Sequence, residues 1–212
     1  MIKVYLTFGE LSSWLAISGL KSLIEATNVR IEWRPLLGSL GNVVSTNLES
    51  GEADPLAELK ARRARGRTMA SEREFSRQCE MLGVTEEIGR RSVDPMMLSV
   101  GLNWLRQRKE SQEVLIRFVE AAFIALFRDG EPNLESLEGV AELLEELGCP
   151  ADRFHEFAIP EAGNLEDQQD ELLEQGILNA PAFVVEDQLF HGREHLPLIT
   201  WMLSGRIGLP PV

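Results

Sequence analysis

The hydrophobic pattern of the N-terminal residues changes period twice. Residues 2–8 (IKVYLTF) largely alternate between apolar and polar side chains, which predicts a first β-strand. Residues 12–26 carry their apolar side chains at helical spacing, and residues 29–34 (VRIEWR) alternate again. A strand, a crossover long enough for a helix and a second strand predict a parallel pair of strands.

A long helical stretch follows these elements. Residues 38–51 are rich in Gly, Ser and Asn, which favours an irregular loop. From Asp54 to about Asp167 the apolar residues recur only at helical spacing, and Asn133 is the expected N-cap of one helix. The predicted helices are 54–66, 69–82, 93–108, 111–129, 134–147 and 150–157.

The C-terminal residues return to a mixed pattern. A helix is predicted over 166–175, and a strand over 182–186 (AFVVE). Asp187-Gln188 is the expected tight turn before a short return strand, 189–191 (LFH). The last predicted helix covers 194–204.

The order of these elements defines the predicted fold class. The pattern β-α-β, a helical block and then α-β-β-α is the arrangement of an α/β protein with a thioredoxin fold, interrupted after its second strand by an all-helical insertion. We therefore predict a thioredoxin-like domain made of residues 1–38 and 166–212. Residues 39–165 form the predicted helical insertion domain.

Net charge and hydropathy limit the partners and the cellular location that we expect for this chain. The net charge of −13 disfavours nucleic acid and acidic membrane surfaces as partners, since both attract a positive field. The chain opens with a strand pattern rather than a secretory signal, and its most apolar long stretch, 118–127, is too short to cross a bilayer. We expect a cytoplasmic protein that has no membrane partner.

The cysteines indicate neither redox nor metal chemistry. Cys79 and Cys149 do not form a Cys-x-x-Cys motif, and no histidine lies at metal-ligand spacing from them. Two free thiols in a reducing compartment are expected, and no metal.

The junction between the first strand and the first helix is the candidate reactive position. Small α/β proteins often place a reactive group at a helix N-terminus, where the backbone N–H groups favour negative charge. Here the junction reads Glu10-Leu11-Ser12-Ser13. Ser12 and Ser13 are residue types that commonly cap a helix.

Four segments, in order, resemble a known family. They are residues 7–16 (TFGELSSWLA), 34–38 (RPLLG), 176–185 (GILNAPAFVV) and 190–196 (FHGREHL). Together they resemble the DsbA-like thioredoxin superfamily, in the branch of 2-hydroxychromene-2-carboxylate isomerases and kappa-class glutathione transferases. The resemblance covers nearly the whole chain.

The resemblance implies a ligand site around one proline. It implies that Pro181 is a cis-proline facing the helix start, and that the backbone of Ala180 pairs with a peptide or with glutathione. A trans-proline that begins a strand is the alternative. The resemblance further implies glutathione as cofactor, a small aromatic or unsaturated carboxylate as substrate, and a homodimer.

The reactive position itself departs from the family. Redox members carry a cysteine there, and the isomerase and transferase branch carries a serine that donates a hydrogen bond to the glutathione thiolate. This chain has Glu10, so dithiol exchange by this motif is excluded. An ionised Glu10 would also oppose a thiolate, since two like charges about 4 Å apart repel by ~4 kcal/mol at an effective dielectric constant near 20.

Several roles remain open at this position. Ser12 or Ser13 supplies the hydroxyl in place of the family serine, or Glu10 is held neutral. Alternatively, Glu10 is a general base for a substrate proton. The non-catalytic alternative is that Glu10 only complements the helix dipole.

The resemblance also marks residues outside the junction. Arg67, within the basic run 60–67, matches a family lysine that contacts a carboxylate, although the run also fits a solvated helix face. Asn47 matches a family asparagine of the preceding loop. Glu194 matches an aspartate that contacts the glutathione amine, or else complements the last helix dipole, and His195 replaces an arginine.

Three functions follow from these residues. The first is an isomerase similar to 2-hydroxychromene-2-carboxylate isomerase, with Arg67 on the carboxylate and Glu10 with Ser12 handling protons. The second is a non-catalytic thioredoxin-fold binding module. The third, a DsbA-family oxidoreductase, rests on superfamily membership alone and is opposed by the missing cysteines.

Overall fold

The computed structural model describes residues 1–38, 55–129 and 132–211, and the side chains of α2 from Leu59 onward. Asn47 and the predicted loop from residue 39 lie outside the described residues. The strands and helices are β1 Ile2–Leu6, α1 Leu11–Thr27, β2 Ile31–Pro35, α2 Pro55–Leu82, α3 Glu86–Gly89, α4 Met96–Gln107, α5 Gln112–Ile124, α6 Leu137–Glu146, α7 Phe154–Glu174, β3 Ala182–Val185, β4 Gln188–His191 and α8 Leu196–Leu203.

Four strands form one mixed sheet in the order β2-β1-β3-β4. β1 and β2 run parallel, as the sequence predicts, with Ile2 opposite Ile31. β3 runs antiparallel to both β1 and β4. This order places the end of β1 beside the start of β3, so the α1 start and the segment before β3 meet at one corner of the sheet.

The two faces of the sheet pack against different elements. Ile2, Val4 and Leu6 belong to the main hydrophobic cluster, which also contains buried residues of α1, α4, α5, α6 and α7. Tyr5 points to the opposite face and packs with Leu36, Ile177, Ala180 and Ala182. The alternation along β1 therefore buries both faces, as expected for a sheet covered by helices on either side.

Two predicted pairs of helices are each one continuous helix. Segments 54–66 and 69–82 form α2, and segments 150–157 and 166–175 belong to α7. The predicted ends were wrong because Gly66 and Pro160 weaken a helix without ending it: each costs local stability, and the flanking turns supply the remaining hydrogen bonds. The predicted division at residues 165 and 166 falls inside α7 and stays a prediction.

Three predicted caps and turns are displaced by one to three residues. Glu10, not Ser12 or Ser13, is the N-cap of α1, and Ser136, not Asn133, caps α6 by accepting from Gly139 N at 3.1 Å. The turn between β3 and β4 is Glu186-Asp187, not Asp187-Gln188. Both turn residues have positive φ, 49° and 64°, the backbone that suits a two-residue hairpin.

Candidate functional site

The corner between β1 and α1 is held by its own hydrogen bonds. Ser13 is fully buried, and its Oγ accepts a hydrogen bond from Thr7 N at 3.2 Å. Ser13 N donates to the Glu10 carbonyl at 3.1 Å. Ser13 therefore fixes the chain between strand and helix, and the role in chemistry that the sequence left open for it stays a prediction.

Ser12 lies between two acceptors at this corner. Its Oγ is 3.2 Å from Glu10 Oε2 and 3.2 Å from the Ala180 carbonyl oxygen. A serine hydroxyl has one proton to donate, so these two acceptors share it or compete for it. The structure thus joins Glu10, Ser12 and Ala180, three of the residues that the sequence singles out.

The segment before β3 has the predicted geometry. The Ala180–Pro181 peptide bond is cis, which confirms the sequence-based expectation. Both residues are buried, and the Pro181 carbonyl accepts a hydrogen bond from Gly192 N at 2.8 Å. The cis-proline segment is thereby tied to the turn after β4.

A cleft of about 610 Å³ opens beside this corner. Its described lining comes from the α1 start, the middle of α2, the cis-proline segment and the turn after β4. The lining residues are Ser12, Glu74, Gln78, Asn179, Ala180, Pro181, His191, Gly192, Arg193 and Glu194. The volume suits a small organic molecule, and Ser12 links the cleft to Glu10.

Charges of both signs face this cleft. Burial acts to raise the pKa of Glu74, but hydrogen bonds from Arg77 and Gln78 outweigh it and hold the pKa below its ordinary value. The positive charge of Arg193 acts in the same direction. The cleft therefore contains an ionised carboxylate on its α2 side, opposite a guanidinium on the turn after β4.

The remaining predicted residues fall into three groups. Glu194 lines the cleft, at the exposed end of the turn. His195 is not among the described lining residues and packs on the Phe190 ring, with ring centres 5.6 Å apart. Arg67 is exposed on α2, also outside the described lining. Asn47 lies outside the described residues.

Six lining residues were not among the predicted site residues: Glu74, Gln78, Asn179, His191, Gly192 and Arg193. The first two lie on α2, and only the packing of that helix against α1 brings them to the corner. His191 and Arg193 flank Gly192 inside the fourth family-like segment. Their position next to a matched glycine is the signal that could have found them.

His191 has a fixed tautomer. Its Nε2 is 3.1 Å from the Gly176 carbonyl, which only accepts, so Nε2 carries the proton in the neutral ring. Its Nδ1 is buried and has no hydrogen-bond partner in the described residues.

The thiols lie away from the cleft lining. Cys79 and Cys149 are free and buried, as the sequence predicts. Burial raises the pKa of both thiols, which disfavours the reactive thiolate. Among the residues that the structure describes, no group of three or more His, Cys, Asp and Glu side chains could hold a metal ion.

Comparison with known structures supports the fold. The structure of 2-hydroxychromene-2-carboxylate isomerase matches with a TM-score of 0.61 and 18% identity over 98% of this chain and 94% of that chain. A probable DsbA oxidoreductase from Streptomyces coelicolor matches with a TM-score of 0.64 and 14% identity, covering 100% and 92% of the two chains. No family model and no curated protein sequence matches the chain.

A third structure contains a ligand. The cytosolic disulfide reductase DsbM from Pseudomonas aeruginosa, in its structure with GSH, matches with a TM-score of 0.53 and 14% identity over 89% of this chain and 87% of that chain. These matches show that the chain has the DsbA-like thioredoxin fold, the fold that 2-hydroxychromene-2-carboxylate isomerase also has. In the described part of the chain, no helix combines the length and apolar character needed to cross a bilayer.

Proposed function

We propose that this protein is an isomerase that moves a proton on a small aromatic or unsaturated carboxylate, similar in reaction to 2-hydroxychromene-2-carboxylate isomerase. The observation that carries the proposal is the hydrogen bond between Ser12 Oγ and Glu10 Oε2 at 3.2 Å, beside a cleft that Ser12 lines. The structural match to that isomerase supports the reaction class.

Ser12 relays the proton in this proposal. Its hydroxyl faces the cleft and passes its proton to the Glu10 carboxylate while Oγ accepts a proton from the substrate. Glu10 is then the general base, and the reverse transfer returns the proton to another substrate atom. The Ala180 carbonyl, also 3.2 Å from Oγ, orients the hydroxyl when Glu10 is protonated.

The hydrogen-bonded pair of Ser12 and Glu10 also disfavours a glutathione thiolate in the cleft. The Ser12 proton is already shared between two acceptors, and a carboxylate lies where a thiolate would need a donor. Glutathione is therefore proposed only as a ligand held as the neutral thiol, next to the backbone of Ala180. DsbM, which has the same fold, is known in a structure with GSH, which supports this part of the proposal.

Turnover of 2-hydroxychromene-2-carboxylate tests the proposal. We expect the wild type to accelerate the isomerisation, measured by ultraviolet absorbance, and Ser12→Ala to lose about 100-fold or more of the rate. Ser18→Ala is the matched control, because Ser18 lies exposed on the same helix and its hydroxyl bonds only to the Leu15 carbonyl among the described residues. A wild type no faster than buffer would sink the proposal.

A non-catalytic binding module is the second candidate. One observation favours it: the described lining of the cleft includes Ser12 but not Glu10. Calorimetry separates the two functions, because a binding module takes up glutathione or an aromatic acid without turning over any substrate.

The homodimer that the resemblance implies is tested separately by light scattering.

A further inference from the structure

The charges of the cleft point to one residue for the substrate carboxylate. Among the described lining residues, Arg193 is the one permanently charged cation, and it stands across from Glu74. Glu194 adds a second carboxylate. An anionic ligand that enters this cleft has a single cation to approach and two carboxylates to avoid.

The guanidinium of Arg193 has N–H donors available for a ligand. Its Nη2 lies 3.8 Å from Met81 Sδ, a weak acceptor, and none of the ion pairs within 4.0 Å in the described part of the chain involves Arg193. The arginine beside Glu74 on α2 is engaged, because Arg77 pairs with Glu74. A guanidinium has five N–H donors in a planar fork that fits a carboxylate.

The backbone fixes Arg193 relative to the reactive corner. Arg193 follows Gly192, whose N–H donates to the Pro181 carbonyl at 2.8 Å. Gly192 has φ of 90°, and an added Cβ there would collide with the carboxylate of Glu194. The φ of 90° favours glycine at this turn, so the main chain sets the position of the Arg193 backbone beside the cis-proline.

Arg67, the residue expected from the sequence, is placed differently. It is exposed on α2, seven residues before Glu74, which at 1.5 Å per residue is about 10 Å along the helix. The described lining of the cleft begins on α2 only at Glu74.

We propose that Arg193 binds the carboxylate of the substrate and so selects acids over neutral analogues. This inference rests on the proposed function for the identity of the substrate. It assigns Arg193 a specificity role that is separate from the proton chemistry of Ser12 and Glu10. A planar carboxylate bound through both oxygens is the ligand chemistry that the guanidinium fits best.

Calorimetry with cinnamate and its neutral amide, cinnamamide, tests this assignment. We expect Arg193→Gln to weaken cinnamate binding about 10- to 100-fold, the effect of losing a charge-assisted hydrogen bond, and to leave cinnamamide binding unchanged. Arg193→Lys keeps the positive charge but loses the planar fork of donors. Its affinity for cinnamate should therefore fall between that of the wild type and that of Arg193→Gln. Circular dichroism shows whether each variant folds.

Two further variants complete the test. Arg67→Gln tests the rival assignment, and Arg153→Gln is the matched control, because Arg153 is an exposed arginine paired with Glu156. A loss of cinnamate binding in Arg67→Gln instead of Arg193→Gln overturns the proposal, as does a wild type that binds the acid no better than the amide. If acid preference persists while Ser12→Ala turns over at the wild-type rate, the proposed function fails and this assignment stands.

Discussion

Ser12 is the residue at which the two halves of the candidate site meet. It lines the cleft, hydrogen-bonds the Glu10 carboxylate and reaches the carbonyl of Ala180. A hydroxyl between a carboxylate and a cleft is suited to relay protons, whereas stabilising a thiolate requires a donor with no competing acceptor. Glu10 therefore determines the chemistry of the corner as well as its charge.

The charge of Glu10 should be measurable through a bound thiol. We predict that Glu10→Gln, which keeps the shape and removes the charge, increases the thiolate fraction of bound glutathione at neutral pH, because the like charge is gone. Glu10→Ser should do the same. Ultraviolet absorbance of the thiolate is the readout, and S-methylglutathione, which lacks the thiol, is the ligand control. An equal thiolate fraction in wild type and both variants would show that the repulsion is absent.

The two cysteines should be inert in the folded protein. Burial raises the pKa of Cys79 and of Cys149, so little thiolate forms at neutral pH and reagents reach neither sulfur. We predict that iodoacetamide labels both residues only after unfolding, as measured by mass spectrometry. Rapid labelling of the native protein would contradict the buried positions and reopen a thiol function.

At the scale of elements, the start of α1 depends on the side chain of Ser13. Ser13 accepts from the backbone of Thr7 and sits in a fully buried position. This hydrogen bond joins Thr7, the residue after β1, to the first turn of α1. The orientation of Ser12 and Glu10, one and three residues away, follows from that attachment.

Loss of this hydrogen bond should destabilise the fold. Ser13→Ala leaves the buried Thr7 N–H without its acceptor, and we predict a decrease of about 1–3 kcal/mol in the free energy of unfolding, measured in urea. Ser18→Ala, on the exposed side of the same helix, is the control and should change stability by about 0.5 kcal/mol or less. Equal effects of the two substitutions would mean that Ser13 does not hold the corner.

The positions of strands and helices could be predicted where a single sequence pattern determines them. The alternation in β1 and β2 gave the strands and their parallel pairing, because period two is a direct consequence of strand geometry. Helix ends were harder to predict. Gly66 and Pro160 suggest breaks, yet α2 and α7 run through them. Buried Ala158 and Glu161 hold α7 in place on either side of Pro160, whereas Gly66 lies among exposed residues, where a glycine costs a helix only about 1 kcal/mol.

At the scale of the whole molecule, the helical insertion and the sheet share one core. Phe123 of α5 packs against Phe8, with ring centres 5.4 Å apart, and stacks on Trp14 of α1 at 6.1 Å. Buried residues of the insertion and of the sheet form one continuous cluster. Such a core predicts that both parts unfold together.

Truncation of the Phe123 side chain tests whether the insertion and the sheet unfold together. We predict that Phe123→Ala, at a fully buried position, lowers the free energy of unfolding by about 3–5 kcal/mol and keeps a single transition by circular dichroism and tryptophan fluorescence. Ile124→Ala is the matched control, since Ile124 is the next residue and is 38% exposed; we expect about 1 kcal/mol or less. Two separate transitions would show that the insertion folds independently.

The sequence predicted the corner better than it predicted the cleft. The strand-to-helix junction has a local signature, and the family resemblance implied the cis-proline, so Glu10, Ser12 and Pro181 could be named in advance. Glu74 and Arg193 could not be placed in this way. They come from elements more than one hundred residues apart, and only tertiary packing brings them into one cleft.

The most direct test of the account is the rate of 2-hydroxychromene-2-carboxylate isomerisation by Glu10→Gln without glutathione. If Glu10 is the base, the wild type turns the substrate over without glutathione and Glu10→Gln is about 100-fold or more slower. A wild type that is active only with glutathione, or a Glu10→Gln variant as fast as the wild type, would contradict the assignment of Glu10 as the base.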